Sequence, residues 1–299
     1  MFAASQTATR LALGSIVVGL VVLVLKFGAY WHTGSVAFYS DALESTINVA
    51  AGVVAFFALR LSSKPADARH PYGHQKIEYL SAVFEGALIL IAALAVFHAA
   101  WEAWRTPRSV TLEPLGIGLN IAASVINGLW CWLLLTRGRV LRSPALVADG
   151  KHLLSDVVSS LGVLAALVIS IWSGLPWLDP VLGALVGLNI LVSGWTLMQS
   201  SFGGLMDEAA SPDEIEQIRA IIREHASGAI EAHDLRTRHA GRATFIEFHL
   251  VVPGEMRVDA SHAICDGIET GLRVAFPGAL ITIHVEPENK AKHAGIVVL

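Results

Sequence analysis

Six apolar runs fill the first two-thirds of the chain, at residues 11–30, 36–61, 79–104, 115–136, 145–172 and 178–202. A bilayer core ~30 Å thick needs ~20 apolar residues in a helix that rises 1.5 Å per residue. Each run is long enough to cross. The first is not read as a signal peptide, because it has no basic segment beyond Arg10, no clear cleavage site and too long an apolar stretch. Basic residues set the orientation. Arg60, Lys64, Arg69 and Lys76 lie between runs two and three, and Arg137, Arg139 and Arg142 between four and five. The opposite loops carry only Arg105 and Arg108. This predicts a six-helix, multi-pass protein of the inner (cytoplasmic) membrane with both termini in the cytoplasm.

Composition agrees and excludes other classes. Hydrophobic residues make up 54% and charged residues 15%, outside the range of an ordinary soluble domain. From Asp207 onward there are 15 acidic against 9 basic residues, and before it 10 against 12. Neither part offers the basic stripe that a nucleic acid needs. Cys131 and Cys265 are too far apart in sequence to suggest a disulfide framework, and no Cys-x-x-Cys is present. No nucleophile–base pair or nucleotide-binding loop stands out, so the chain is not read as an enzyme.

Two of the apolar runs contain ligand pairs. At 149–156 the sequence reads Asp-Gly-Lys-His-Leu-Leu-Ser-Asp. His152 and Asp156, four apart, share one helix face. Asp41, Glu44 and Asn48 repeat the spacing of Asp149, His152 and Asp156. Ionisable residues inside a span are costly and mark function by default. Runs two and five cross in opposite senses, and Glu44 and His152 lie at ~12 Å of depth in each. The two pairs can therefore meet near the midplane and close one four-ligand site. Asn120 and Asn127 share a face of run four, for inter-helix hydrogen bonding or for transport. Glu85, His98 and Glu102 in run three are open between the same readings. Asp67, His70 and His74, in the loop after run two, are spaced to hold a second metal or to be a plain polar loop.

Residues 207–299 read as a separate cytoplasmic domain, after a transmembrane domain at 1–206. Ser211-Pro-Asp-Glu214 is a capping box opening a helix to about His225. Strands follow at 229–239 and 243–251, then a helix at 258–276 and a strand at 279–286. Alternation places Ile246, Phe248 and Leu250 on the core face of one strand and Phe245, Glu247 and His249 on the other. Ile281, Ile283 and Val285 point inward from the last strand, with Thr282, His284 and Glu286 outward. The order αββαβ is a small α+β sandwich, ferredoxin- or metallochaperone-like. His249, His284 and Glu286, with His233 and His262 in reach, read as a metal site or as surface histidines without a ligand.

These motifs together resemble the cation diffusion facilitator family, and in particular its bacterial ferrous-iron/zinc efflux type. The carrying motifs are Ala-Asp-x-x-His-x-x-x-Asp at 148–156, His-Pro-Tyr-Gly-His-x-Lys-x-Glu at 70–78 and His-Asp-Leu-Arg-Thr-Arg at 233–238. The resemblance implies a homodimer that exports divalent transition metals (zinc, ferrous iron, manganese, cobalt or cadmium) against inward protons. It puts Glu44, Asn48, His152 and Asp156 at the transport site and Asp67, His70 and His74 at the loop site. His233, His249, His262, His284 and Glu286 fall on a regulatory site across the dimer contact, and Lys76 and Asp207 on an ion pair linking protomers. Run two departs from the usual Asp-x-x-x-Asp or His-x-x-x-Asp, offering Glu44 and Asn48 instead.

The mechanism expected is alternating access. A divalent ion binds neutral His152, two carboxylates and the Asn48 carbonyl, and protons compete with it because ligands must be deprotonated to bind. His152, with an ordinary pKa near ~6.5, is the natural proton carrier. Two other classes share some of these features: a membrane-anchored metal sensor without transport, and a proton-coupled exporter of organic cations. A sensor has no use for ligand pairs inside spans. An organic-cation exporter needs a roomier, aromatic-lined pocket.

Overall fold

The computed structural model describes residues 2–33, 36–106, 114–173, 177–292 and 296–297. The loop carrying Arg108 lies outside them. The chain forms two compact units, Met1–Phe202 and Gly203–Leu299.

The first unit is built from α1 (Phe2–Thr33), α2 (Val36–Ser62), α3 (Ile77–Arg105), α4 (Pro114–Val140), α5 (Pro144–Ser173) and α6 (Leu178–Leu205). Among the described residues, the segments Gln6–His32, Glu44–Ser62, Ile77–Arg105 and Pro114–Val140 are long and apolar enough to cross a membrane. Helices α1, α4 and α6 run several residues past their apolar runs, because helix geometry continues through polar ends that hydropathy excludes.

Polarity is inverted relative to a soluble protein. On α1, Leu13, Val17, Val21 and Val24 are exposed, and so are Leu129 and Trp132 on α4 and Leu188 and Trp195 on α6. The buried positions include Lys26, Ser45, Asn48, Glu85, Asn120, Asn127, His152 and Asp156. An apolar exterior around a polar interior suits a hydrocarbon solvent. Small residues bring helices close: a Cβ on Gly194 of α6 would lie 2.9 Å from Ile89 of α3, and one on Gly86 3.2 Å from the Gly194 carbonyl. At one end, the wholly buried Glu78 carboxylate accepts from Ser62 Oγ at 2.8 Å and Ser143 Oγ at 2.5 Å. The glutamate of the 70–78 motif thus ties the end of α2 and the start of α5 to α3.

The second unit contains α7 (Pro212–His225), β1 (Glu231–Ala240), β2 (Ala243–Val252), α8 (Val258–Ala275), β3 (Leu280–Pro287), a 3-10 turn (Glu288–Lys290) and β4 (Ile296–Val297). The capping box forms: Ser211 Oγ accepts from the Glu214 N–H, and Glu214 Oε2 accepts from the Ser211 N–H. Gly241, at φ 56°, makes the β1–β2 turn in a backbone region that side chains disfavour. The sheet order is β3-β2-β1-β4. β1 is antiparallel to β2, and β3, reached through α8, is parallel to it, so the sheet is mixed. β4 adds a short edge strand beyond the expected αββαβ order. Ile218, Ile222, Ile246, Phe248, Leu250, Ile268 and Leu272 form the core.

One expected side-chain placement is corrected. Val285 is 38% exposed although it alternates with the half-buried Ile281 and Ile283, because inward packing fades toward the end of β3. Phe245, on the polar face of β2, is buried with Ala240 and Ala243, and the Arg238 guanidinium caps its ring at 3.8 Å.

Candidate metal sites

Glu44 and His152 both lie eight residues beyond the first of their helices (36 to 44, 144 to 152). Equal depth lets the pairs on α2 and α5 meet in two tiers. In one, His152 Nε2 contacts Asn48 Oδ1. In the other, Asp41, Glu44 and Asp156 face one another, with ligand oxygens within 4.8 Å. Asp41 and Asp156 are buried and Glu44 is the least buried of the three. Ser159 Oγ donates to Glu44 Oε2 at 3.3 Å. A cluster of this kind has oxygen donors in one tier and an imidazole nitrogen a turn away, a set that suits first-row divalent ions.

Two further helices reach the cluster. From α4, Asn120 Nδ2 donates to Asp41 Oδ2 and Asn127 Nδ2 to Asp156 Oδ2, each at 2.5 Å. The asparagines do bond between helices, and their partners are site carboxylates. From α1, Lys26 Nζ lies 2.8 Å from Asp41 Oδ1 and 2.8 and 2.9 Å from the two Asp156 oxygens. The sequence reading passes over Lys26, although an ammonium inside an apolar run carries the same signal as a carboxylate there. Asp149, the partner of Asp41 in the repeat, is buried elsewhere on α5, and Glu85 is buried on α3 beside Ser81. His98 and Glu102 are exposed and stand apart from the cluster.

The loop residues come together as spaced. Asp67 Oδ1 accepts the N–H groups of Arg69 and His70 at 2.9 and 2.8 Å, and Asp67 Oδ2 lies 3.5 Å from His74 Nε2. The rings of His70 and His74 are 4.4 Å apart. The His70 N–H leads the groups that hold the Asp67 carboxyl below its ordinary pKa, so it stays a ready anionic ligand. Pro71 and Gly73 replace a helix here by a tight turn, with the Gly73 N–H on the His70 carbonyl at 2.9 Å.

On the sheet, register does what sequence cannot show. His233 on β1 pairs with His249 on β2, which pairs with His284 on β3, so three imidazoles form one row. Ring centres are 5.4 and 4.9 Å apart along it. Glu286 sits among them, 3.3 Å from His233, 3.4 Å from His249 and 3.7 Å from His284. Glu231 Oε1 is 3.0 Å from His233 Nδ1, which orients that ring. Asp234 joins His233 and His249 within 4.8 Å, beyond the expected set. It occupies an irregularity of β1 at φ 53°, and its carboxylate accepts from Lys292 Nζ at 2.6 Å, which chiefly lowers its pKa. His262 is not brought to the row: it lies exposed on α8, 3.7 Å from Asp266.

Comparison with known proteins places this architecture. Residues 12–206 match the cation efflux transmembrane domain, and residues 210–288 match the cation efflux protein cytoplasmic domain. The chain belongs to the cation diffusion facilitator family. It is 41% identical over 288 residues to the uncharacterised transporter sll1263 of Synechocystis sp., covering 96% of this chain and 93% of that one. It is 32% identical over 290 residues to the cation-efflux pump FieF of Yersinia pestis, covering 95% of each. A solved structure of CzrB in its Zn form is 52% identical over 29% of this chain and 98% of its own, with a TM-score of 0.28. This facilitator is a cation transporter and not an enzyme.

Proposed function

We propose that the protein exports divalent transition-metal cations in exchange for protons, by alternating access of one buried site between α2 and α5. The observation that carries this is the two-tier meeting of Asp41, Glu44 and Asp156 with Asn48 and His152 inside a unit whose exterior is apolar. Membership of the cation efflux family supports it. The ligands are Glu44, Asn48, His152 and Asp156, with Asp41 in reach of the same ion. Carboxylates balance the charge of a dication in a low-dielectric interior, where an unpaired charge is costly. Metal and proton compete for the same donors, so an inward proton gradient can drive exchange.

Around this core we read all six long helices as spans, with both termini in the cytoplasm of a bacterial inner membrane. The chain divides into a transport domain at 1–206 and a ferredoxin-like regulatory domain at 207–299. That second domain joins two copies into a homodimer. The Asp67–His70–His74 loop is a second, exchangeable site. The row of His233, His249 and His284 with Glu286 is the regulatory site, completed by His262 from the other protomer, which explains why His262 stands exposed and apart. The test is purified protein in sealed vesicles under an imposed pH gradient, assayed with zinc, ferrous iron, manganese, cobalt and cadmium. Gradient-dependent flux of at least one ion is expected. Metal binding with no flux of any would overturn the reading in favour of a sensor.

A further inference from the structure

Lys26 is wholly buried, and its ammonium has every donor engaged. It holds Asp41 Oδ1 at 2.8 Å, both oxygens of Asp156 at 2.8 and 2.9 Å, and Ser160 Oγ at 3.3 Å. The carboxylates are held by other donors as well. Asp41 also accepts from Ser160 Oγ at 2.8 Å and Asn120, and Asp156 from Asn127. A buried ion pair costs much of its attraction in desolvation, so it is weak grounds for stability alone. This one also ends on an oxygen pair that the transported ion must use.

We infer that Lys26 is a tethered competitor of the transported ion: its ammonium occupies the Asp156 oxygens, and a divalent cation binds by displacing it. The inference rests on the transport reading above. A metal–carboxylate bond is ~2.0–2.2 Å long. Were the ammonium to stay at 2.8 Å on the same carboxylate, three positive charges would crowd into a few ångströms of low-dielectric interior. The two states therefore exclude each other. The lysine stem has four methylenes that let Nζ swing, and Asp41, which also holds the ammonium, can keep it while Asp156 turns to the metal.

Two consequences follow from charge and tethering. The empty carrier returns with its carboxylates neutralised by a cation that cannot leave. A monovalent ion brings no more charge than the ammonium and lacks its tether, so it competes poorly for Asp156, whereas a dication gains twice the attraction. Lys26 thus acts as a valence filter that also keeps binding loose enough for release.

The test measures vesicle flux with zinc as the probe for Lys26→Gln, which is one atom shorter, keeps a donor and removes the charge. We expect an about ten-fold lower KM for zinc, a lower maximal rate because release slows, and inhibition by 0.1 M sodium or potassium that wild type does not show. Lys26→Arg restores the charge and should move KM back toward wild type. A raised KM in Lys26→Gln would mean that the lysine merely props the carboxylates, and an unchanged KM that it does not compete; either overturns the inference. If Lys26→Gln does not assemble, the double variant Lys26→Gln/Asp41→Asn removes both charges of the pair and should show a lower KM than Asp41→Asn alone; a KM no lower than that overturns the inference. If neither assembles, the ion pair is a structural cross-link and the inference falls. Asp156→Ala separates the two levels of the argument. Flux surviving in Asp156→Ala defeats the transport site itself, whereas dead Asp156→Ala beside wild-type kinetics in Lys26→Gln defeats the competitor alone.

Discussion

Between α2 and α5, three carboxylates face one another with one imidazole a turn away; on the sheet, three imidazoles share one carboxylate. The first cluster is buried, with Asp156 at 1% and His152 at 3% exposure. The second opens to solvent along its row, from His233 at 2% of its side chain through His249 at 36% to His284 at 66%. A lysine attends each, and here too they differ. Lys26 sits on a ligand carboxylate of the first, and Lys292 sits on Asp234 at the edge of the second. Oxygen donors under competition from an ammonium favour an ion that comes and goes. Nitrogen donors fixed by strand register favour one that stays. The same element can therefore be cargo in one unit and a structural ligand in the other, and experiments can pull the two roles apart.

The largest expected effect separates them outright. Asp156→Ala should lower pH-driven zinc flux at least about 100-fold, since it removes the residue that meets Lys26 and Asn127 and is the proposed ligand of the transported ion. The double variant His249→Ala/His284→Ala should keep flux within a few-fold of wild type. It should instead lose the zinc-induced rise in melting temperature of the unit Gly203–Leu299. At zinc 100 times its Kd, that rise is about 10 °C or more for a domain of this size. Loss of flux in the double variant equal to that of Asp156→Ala would show that the clusters are not separable.

A subtler change tests whether ligand chemistry, and not burial, distinguishes the two. Asn48→Asp puts a fourth carboxylate beside His152 and adds a group that can take up a proton. The relative rates of zinc, ferrous iron, manganese, cobalt and cadmium should shift by several-fold, and the pH profile with them. An unchanged ranking and an unchanged profile would remove Asn48 from the ligand set and leave Asp41 as the better fourth ligand.

How much of this was legible depended on how local the geometry is. The pairs Glu44/Asn48 and His152/Asp156 are visible because four residues make about one helical turn, whatever the rest of the chain does. Asp67, His70 and His74 are likewise a local matter. What α1 and α4 contribute is tertiary. Asn120 and Asn127 could be placed on one face but not aimed at Asp41 and Asp156. Lys26 was hidden by averaging, because one cation hardly lowers the hydropathy of residues 11–30. On the sheet, alternation gave faces for His249 and His284, while the match of His233, His249 and His284 across three strands is a property of register. Asp234 needed the β1 irregularity to turn toward them, and an apolar stretch as short as the one at β4 does not by itself distinguish a strand.

The smallest effect concerns the frame of the second cluster. Ser211 caps α7, whose Ile218 and Ile222 lie in the core behind the sheet. Burial raises the pKa of Glu214, but the N–H and hydroxyl of Ser211, with His239, outweigh it and leave the carboxyl below its ordinary value. A carboxylate with a depressed folded pKa contributes stability above its unfolded value, about 4.5 here, and loses it as pH falls through the folded one. Ser211→Ala removes one of those hydrogen bonds and the cap itself. It should cost about 1 kcal/mol at neutral pH, read as a lower urea midpoint of the Gly203–Leu299 unit. The gap to wild type should narrow as pH falls through the depressed pKa of Glu214, where its protonation weakens the box in both proteins. Zinc binding by the row should be unchanged, because the cap holds the helix layer and not the register of β1, β2 and β3. A zinc affinity that falls together with the midpoint would mean that the row is shaped by the helices as well as by the sheet.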